Sequence, residues 1–465
     1  MRLARKVLAF DSDVYIHPRM YLKTPGKIKR FFGIAWDKAL KNISVSGEGG
    51  GARGAVVQGG VLQIFEETKY LNPHSPIAAD DWFTVSAASK VTAGFFSNSM
   101  ARVTSSYVHI SENVDSSVSN WGRLYSHNIA QYGGRFAKTI SKIFLLNRIA
   151  PKSIFNIEKL VDFLYRSGLI NDDLIAKSKT NLHIHTTNAE TVKPAHFEYK
   201  TLLKEDIKTG QEKRKAVMQA TASIPVLVKE RVIIDDEHHI DGGVFDCRAF
   251  TKALQKIKKY VLLKKILYFK KFQKMIRCKR RKEIKNMIFI SSKPLAYRSE
   301  QFKGVVSNVI HRELKHHPRL NKAVRIHHNN RYNHFAHFLE KMVRRTVPKT
   351  TVIAPSHHFK VDRDTTDLNE LMIGHFQMRR VALSYLNQIG WPLNGSHQFE
   401  LSYDLSTVYS LWAKSLSKNK LKEILAHHKM SEILNKMMIW YEQKYGAIED
   451  DYDENWAPSL NPLTI

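Results

Sequence analysis

Residues 47–54 read GEGGGARG, and no other stretch constrains this chain as tightly. A short apolar strand candidate, Ile43 to Ser46, runs into it. Val56 to Glu67 follows, with Val57, Val61, Leu62 and Phe65 at helical spacing. Glycines between a strand and a helix let backbone N–H groups approach a ligand with no Cβ in the way. The helix N-terminus adds partial positive charge. Such a junction suits a phosphate or an oxyanion. Gly49, Gly51 and Gly54 also spell the Gly-x-Gly-x-x-Gly of dinucleotide-binding folds. That reading asks for an acidic residue closing a second strand about 20 residues on. The nearest candidates, Glu66 and Glu67, fall within the predicted helix. A plain strand–helix turn is the remaining alternative.

Further strand candidates are Trp82 to Val85, Asn181 to Thr187, two runs within Ile224 to Ile240, Asn286 to Ile290 and Thr350 to Ile353. Helical or small-residue segments separate them, Ser86 to Phe96 among these. The alternation predicts an α/β fold with a mainly parallel central sheet. After Leu386 a loop with Gly390, Pro392 and Gly395 leads into a mostly helical tail, including Leu421 to Tyr445. The expected organisation is a basic leader over 1–41, a main domain over 42–387 and a helical C-terminal extension over 388–465.

A second motif is ATASIP at 220–225, followed by HHIDGGVFD at 238–246. An Asp-Gly-Gly at a strand end is a common turn. Downstream of the glycine loop and close after Ile224-Pro225, it gains meaning. Together these segments resemble the patatin-like phospholipases, whose glycine loop has the form G-G-G-[AIV]-[RK]-G and whose aspartate stands in D-G-G or D-G-A. The later run from Val352 to Leu386 is also similar, so the resemblance spans about residues 42–387. It departs locally in that Phe245 to Phe250 lacks the proline often found after D-G-G. The resemblance implies a three-layer sandwich and hydrolysis of acyl esters in phospholipids or other acyl lipids, with no cofactor or metal. It implies that Gly49, Gly50, Gly51 and Gly54 shape an oxyanion hole that Arg53 helps to form or charge. It also implies that Asp241, supported by Gly242 and Gly243, orients a serine and accepts its proton.

The serine of this family stands in Gly-x-Ser-x-Gly at a sharp strand-to-helix turn. The segment here with similar flanks is DWFTVSAASKVTAG at 81–94. Aligned without gaps, Val85 and Ser89 replace the two glycines and Ala87 replaces the serine. Alanine has no Oγ, so no acyl-enzyme can form at that position. Three readings follow: an impaired, pseudoenzyme-like scaffold, an active enzyme with a shifted nucleophile at Ser86 or Ser89, or a serine elsewhere.

The 465 residues hold 73 Lys+Arg against 43 Asp+Glu, a net charge of +30, which attracts polyanions. From Thr251 to Lys282 there is no acidic residue. Apolar residues at three- to five-residue spacing share that stretch with Lys264, Lys265, Lys270, Lys271, Arg280 and Arg281. A basic amphipathic helix of this kind suits an anionic membrane surface; a core helix with a solvated basic face is the alternative. A polyanion-binding scaffold with a vestigial pocket is a further reading. No helix-turn-helix, zinc-finger or RNA-recognition signature points to nucleic acid. Two cysteines, Cys247 and Cys278, make no disulfide framework. His183 and His185 share one face of a predicted strand, without the carboxylate pattern of a metal site. No run approaches the about 18 apolar residues of a membrane span, and no signal peptide is evident. The expected setting is cytoplasmic or peripheral to a membrane, with non-classical secretion as an alternative.

Overall fold

A computed structural model describes residues 14–15, 43–112, 156–205, 207–224, 228, 232–246, 286–293, 350–356, 359, 361, 365–427 and 429–446. The basic stretch 251–282, with Lys264, Lys265, Lys270, Lys271, Arg280 and Arg281, lies outside these residues, as do most of the leader and Pro225.

Among the described residues nine strands form one sheet: β1 (Val14–Tyr15), β2 (Ile43–Gly47), β3 (Asp81–Val85), β4 (Asn181–Asn188), β5 (Pro194–Glu198), β6 (Val232–Ile234), β7 (Glu237–Asp241), β8 (Asn286–Ile290) and β9 (Thr350–Ile353). The spatial order is β1-β9-β8-β2-β3-β4-β7-β6, with β5 also on β4. The central strands β9, β8, β2, β3 and β4 are parallel. Antiparallel pairs close both edges: β1 on β9, and β7 on β4 with β6 beyond it. The α/β class and parallel core match the expectation. Two departures are informative. Residues 14–15 of the expected leader add a strand to the sheet. Strand β5, which the sequence reading did not include, begins at Pro194, a position where the missing N–H is tolerated.

The parallel strands are buried on both faces, so their apolar residues are not confined to one side. Val45, Trp82, Leu182 and Ile288 lie side by side in register on one face. They meet the core built by α1 (Gly51–Glu67), α2 (Ala87–Phe96), α3 (Val103–Glu112), α4 (Ile157–Arg166) and the later helices. On the other face Ser46, Phe83, His183 and Phe289 are buried as well. Phe83, His183, His185 and His196 gather there as a ring cluster. Helix α5 (Asp172–Lys177) packs on α2, while α6 (Tyr199–Leu202), α7 (Ile207–Ala220) and α8 (Gly243–Asp246) contact β4.

The longest of the described helices, α9 (Leu368–Ile389), starts where the Asp367 side chain accepts the Glu370 N–H, and it packs along α1. The C-terminal helices α10 (Gly395–Ser402), α11 (Leu405–Ser415), α12 (Lys418–His427) and α13 (Met430–Tyr445) share this same core rather than forming a second one. Polar contacts fix the α1–α9 register. His375 Nε2 meets Gln63 Oε1 at 2.6 Å and Tyr107 OH meets His375 Nδ1 at 3.1 Å. Arg379 is buried between Glu67 (2.8 and 2.9 Å) and Glu400 (2.6 and 2.7 Å). Burial alone would raise the Glu67 carboxyl, but the Arg379 guanidinium and His397 outweigh it and hold its pKa at about 2. This contribution to stability is present above the ordinary carboxylate range and fades as pH falls towards 2.

Removing the guanidinium takes the shared counter-charge from both carboxylates and leaves Glu67 with His397. Arg379→Leu is expected to destabilise the fold by about 3–5 kcal/mol in urea unfolding, and Arg379→Leu with Glu400→Leu by less.

Candidate active site

Parallel strands end together, so the loops after them meet in one place. Strand β2 ends at Gly47, β3 at Val85 and β8 at Ile290. Three segments needed for acyl transfer converge there.

The first is the glycine loop. Its helix begins at Gly51, five residues before the start predicted from apolar spacing, because the glycines themselves make the first turn of α1. The first-turn amides of a helix have no intrahelical carbonyl, so here they are directed towards the strand ends. A Cβ on Gly49 would come within 2.7 Å of Ser86 Cβ, which sets the loop directly against that serine and requires glycine. Glu48 anchors the loop: its carboxylate accepts from Ser291 Oγ and the Ser292 N–H, both at 2.9 Å, and Ser292 Oγ donates to Gly49 O at 2.9 Å. Arg53 is buried, and its Nε donates to Val361 O at 2.7 Å. That contact ties the start of α1 to the chain before α9.

The second segment is the turn from β3 into α2. Val85 is the last residue of the strand and pairs with His185. Ser86 makes the turn with φ 59° and ψ −140°, and Ala87 is already the first residue of α2. A non-glycine residue in that region costs on the order of 1–3 kcal/mol and persists only where its surroundings impose it. Here the Ser86 N–H donates to Thr221 Oγ1 at 2.9 Å, and Thr221 Oγ1 donates to His185 O at 2.6 Å. With Ser86 at the turn, the residues two before and two after it are Thr84 and Ala88. The ungapped alignment, which set Ala87 on the family serine and Val85 and Ser89 on the glycines, stands one residue out of register with this turn. Ser89 lies within α2, fully buried, with no hydrogen-bond partner for its Oγ among the described residues.

The third segment is the end of β7. Ser86 Oγ donates to Asp241 Oδ2 at 2.8 Å. Oδ1 of the same carboxylate accepts the Gly243 N–H at 2.5 Å, and the Asp241 N–H donates to Ser223 O at 2.9 Å. A Cβ on Gly242 would lie 2.4 Å from His185 O, so only glycine lets β7 turn this close to β4. Thr221 and Ser223, two residues apart after α7, thus position the serine and the aspartate respectively. Neither was singled out in the sequence for this role; both stand within the ATASIP motif.

A buried cation completes the surroundings. Lys90, one turn beyond Ser86, is 5% exposed and its Nζ donates to Met218 O at 3.0 Å. Burial pushes its pKa down to about 8, with the Asp241 carboxylate opposing the fall. Among the described residues no group of three or more His, Cys, Asp or Glu could hold a metal ion, and no helix is long and apolar enough to cross a membrane.

The arrangement can perform nucleophilic acyl transfer: a hydroxyl at a strained turn, a carboxylate to take its proton, and glycine amides beside it. Residues 46–253 match the family model described as patatin-like phospholipase, so this part of the chain carries a patatin-like phospholipase domain. Among solved structures, the crystal structure of VipD from Legionella pneumophila is similar at 12% identity, covering 88% of this chain and 81% of that chain with a TM-score of 0.29. No curated protein matches.

Two stability measurements follow from the strained turn and the buried cation. Ser86→Gly, which relaxes the backbone, should be more stable than Ser86→Ala by about 1 kcal/mol in thermal unfolding. For Lys90, the folded state binds fewer protons than the unfolded one between pH 8 and 10.5, so wild-type stability rises across that window. Lowering this pKa from 10.5 to about 8 corresponds to about 3 kcal/mol. Lys90→Met is therefore expected to be more stable than wild type below pH 8 by up to about that amount, with the gain fading towards pH 10.5.

Proposed function

We propose that this protein is a lipid acyl hydrolase in which Ser86 is the nucleophile and Asp241 its base. The observation that carries the reading is the 2.8 Å hydrogen bond from Ser86 Oγ to Asp241 Oδ2 at a strand-to-helix turn. Ser86 Oγ attacks the acyl carbonyl carbon as its proton passes to Asp241. The carbonyl oxygen takes the electron pair and is stabilised by the amides of Gly50 and Gly51. Collapse of this intermediate expels the alcohol of the lipid, which takes the proton back from Asp241. Water then releases the fatty acid by the same steps. Two helices, α1 and α2, begin beside the serine, and their positive ends favour the negative charge that develops there.

The match over residues 46–253 supports a phospholipid or related acyl lipid as substrate. The net charge of +30 supports an encounter with an anionic lipid surface, weakened by salt. This reading departs from the impaired scaffold with Ala87 at the serine position. It takes Ser86 and not Ser89, because Ser86 alone of the two faces Asp241.

Fatty-acid release from mixed phospholipid vesicles tests it. Ser86→Ala is expected to lose at least about 1,000-fold in rate and Asp241→Asn about 100- to 10,000-fold. Ser89→Ala should keep most of the rate and Ala87→Ser should gain nothing. Absence of release by wild type across several lipids would instead leave the impaired scaffold standing.

A further inference from the structure

Lys90 is a buried cation that the acyl-transfer steps above do not use. It stands one helical turn beyond Ser86 on α2 and is bound to the carbonyl of Met218 in the last turn of α7. The residues just after that turn hold both reacting groups: Thr221 accepts the Ser86 N–H, and the Ser223 carbonyl accepts the Asp241 N–H. Lys90 therefore clamps α2 to the segment that sets the separation of the serine and the aspartate.

Its charge has a second consequence. Helix α7 offers Lys90 a backbone carbonyl, and among the described residues the Asp241 carboxylate on β7, which accepts from Ser86 one turn before Lys90, favours its ammonium. That interaction is reciprocal: whatever favours the ammonium beside the carboxylate also favours the carboxylate beside the ammonium. Asp241 is 4% exposed. The hydrogen bonds it accepts from Ser86 Oγ and the Gly243 N–H favour its ionised form against that burial, and a nearby ammonium adds to them. A protonated Asp241 cannot accept the proton of Ser86.

We propose that Lys90 is a positioning residue for the Ser86–Asp241 pair, whose ammonium keeps Asp241 ionised and whose hydrogen bond to Met218 fixes the Thr221–Ser223 segment. This inference rests on the hydrolase reading above. The buried charge then has a reason to be kept, although an apolar side chain of similar length would be more stable there. At neutral pH Lys90 is mainly protonated. It acts through its field on Asp241, and the proton of Ser86 goes to the aspartate, not to the lysine.

The test is the pH dependence of fatty-acid release from mixed phospholipid vesicles, compared for wild type, Lys90→Met, Lys90→Arg and Ser86→Ala. Thermal unfolding of each variant establishes that it is folded. In Lys90→Met the acid limb of the profile is expected to move up by about one pH unit or more. In Lys90→Arg, which keeps the charge, it should return towards the wild-type position. A Lys90→Met enzyme slowed equally at every pH would overturn the effect of its charge on Asp241, and one not slowed at all would overturn its positioning role as well; in both cases an inactive Ser86→Ala leaves the dyad intact. Equal release by wild type and Ser86→Ala, or none by either, would remove the dyad and the Lys90 inference with it.

Discussion

The turn at Ser86 places a β-carbon in backbone territory that glycine usually occupies, and the neighbouring chain is built to keep it there. Thr221 Oγ1 accepts the Ser86 N–H and donates to the carbonyl of His185, the residue that pairs with Val85 at the end of β3. The same segment holds Asp241 through the Ser223 carbonyl. Gly49 approaches from the other side at a distance that no side chain would allow. Serine, aspartate and glycine loop thus depend on one set of strand ends, and displacing any one of them disturbs the other two. Local strain at a turn that carries a hydrogen-bonded hydroxyl is what a preorganised nucleophile requires.

Charge is used in the interior in two ways. Arg379 sits between Glu67 and Glu400 where α1, α9 and α10 meet. There paired charges set a helix register far from the strand ends. Glu48 and Lys90 flank the site instead. One anchors the glycine loop to the end of β8, and the other ties α2 to the last turn of α7. Buried ions of this kind contribute little net stability and are better explained by the geometry and local field they impose.

Legibility in the sequence followed from how directly a residue type reports backbone geometry. The glycine loop and Asp241-Gly242-Gly243 were readable because close backbone approach demands glycine, as the contacts of Gly49 and Gly242 show. Buried parallel strands such as Asn286–Ile290 and Thr350–Ile353 were readable from unbroken apolar and β-branched runs. The register of the turn was not. Thr84 and Ala88 flank Ser86 where glycines would have marked it, and the ungapped alignment set the motif one residue later, at Ala87. What fixes the frame is a long-range fact, the pairing of Val85 with His185, which no local pattern encodes. The start of α1 was missed for a related reason: its glycines have low helix propensity, and tertiary contacts override that.

The central claim is that Ser86 is the nucleophile. The most direct measurement is covalent labelling of the wild-type protein with a fluorophosphonate, followed by mass-spectrometric mapping of the adduct. The account predicts a single phosphonylated residue, Ser86, with labelling strongly slowed in Asp241→Asn. An adduct on Ser89 or another serine, or no adduct on folded protein, would contradict it.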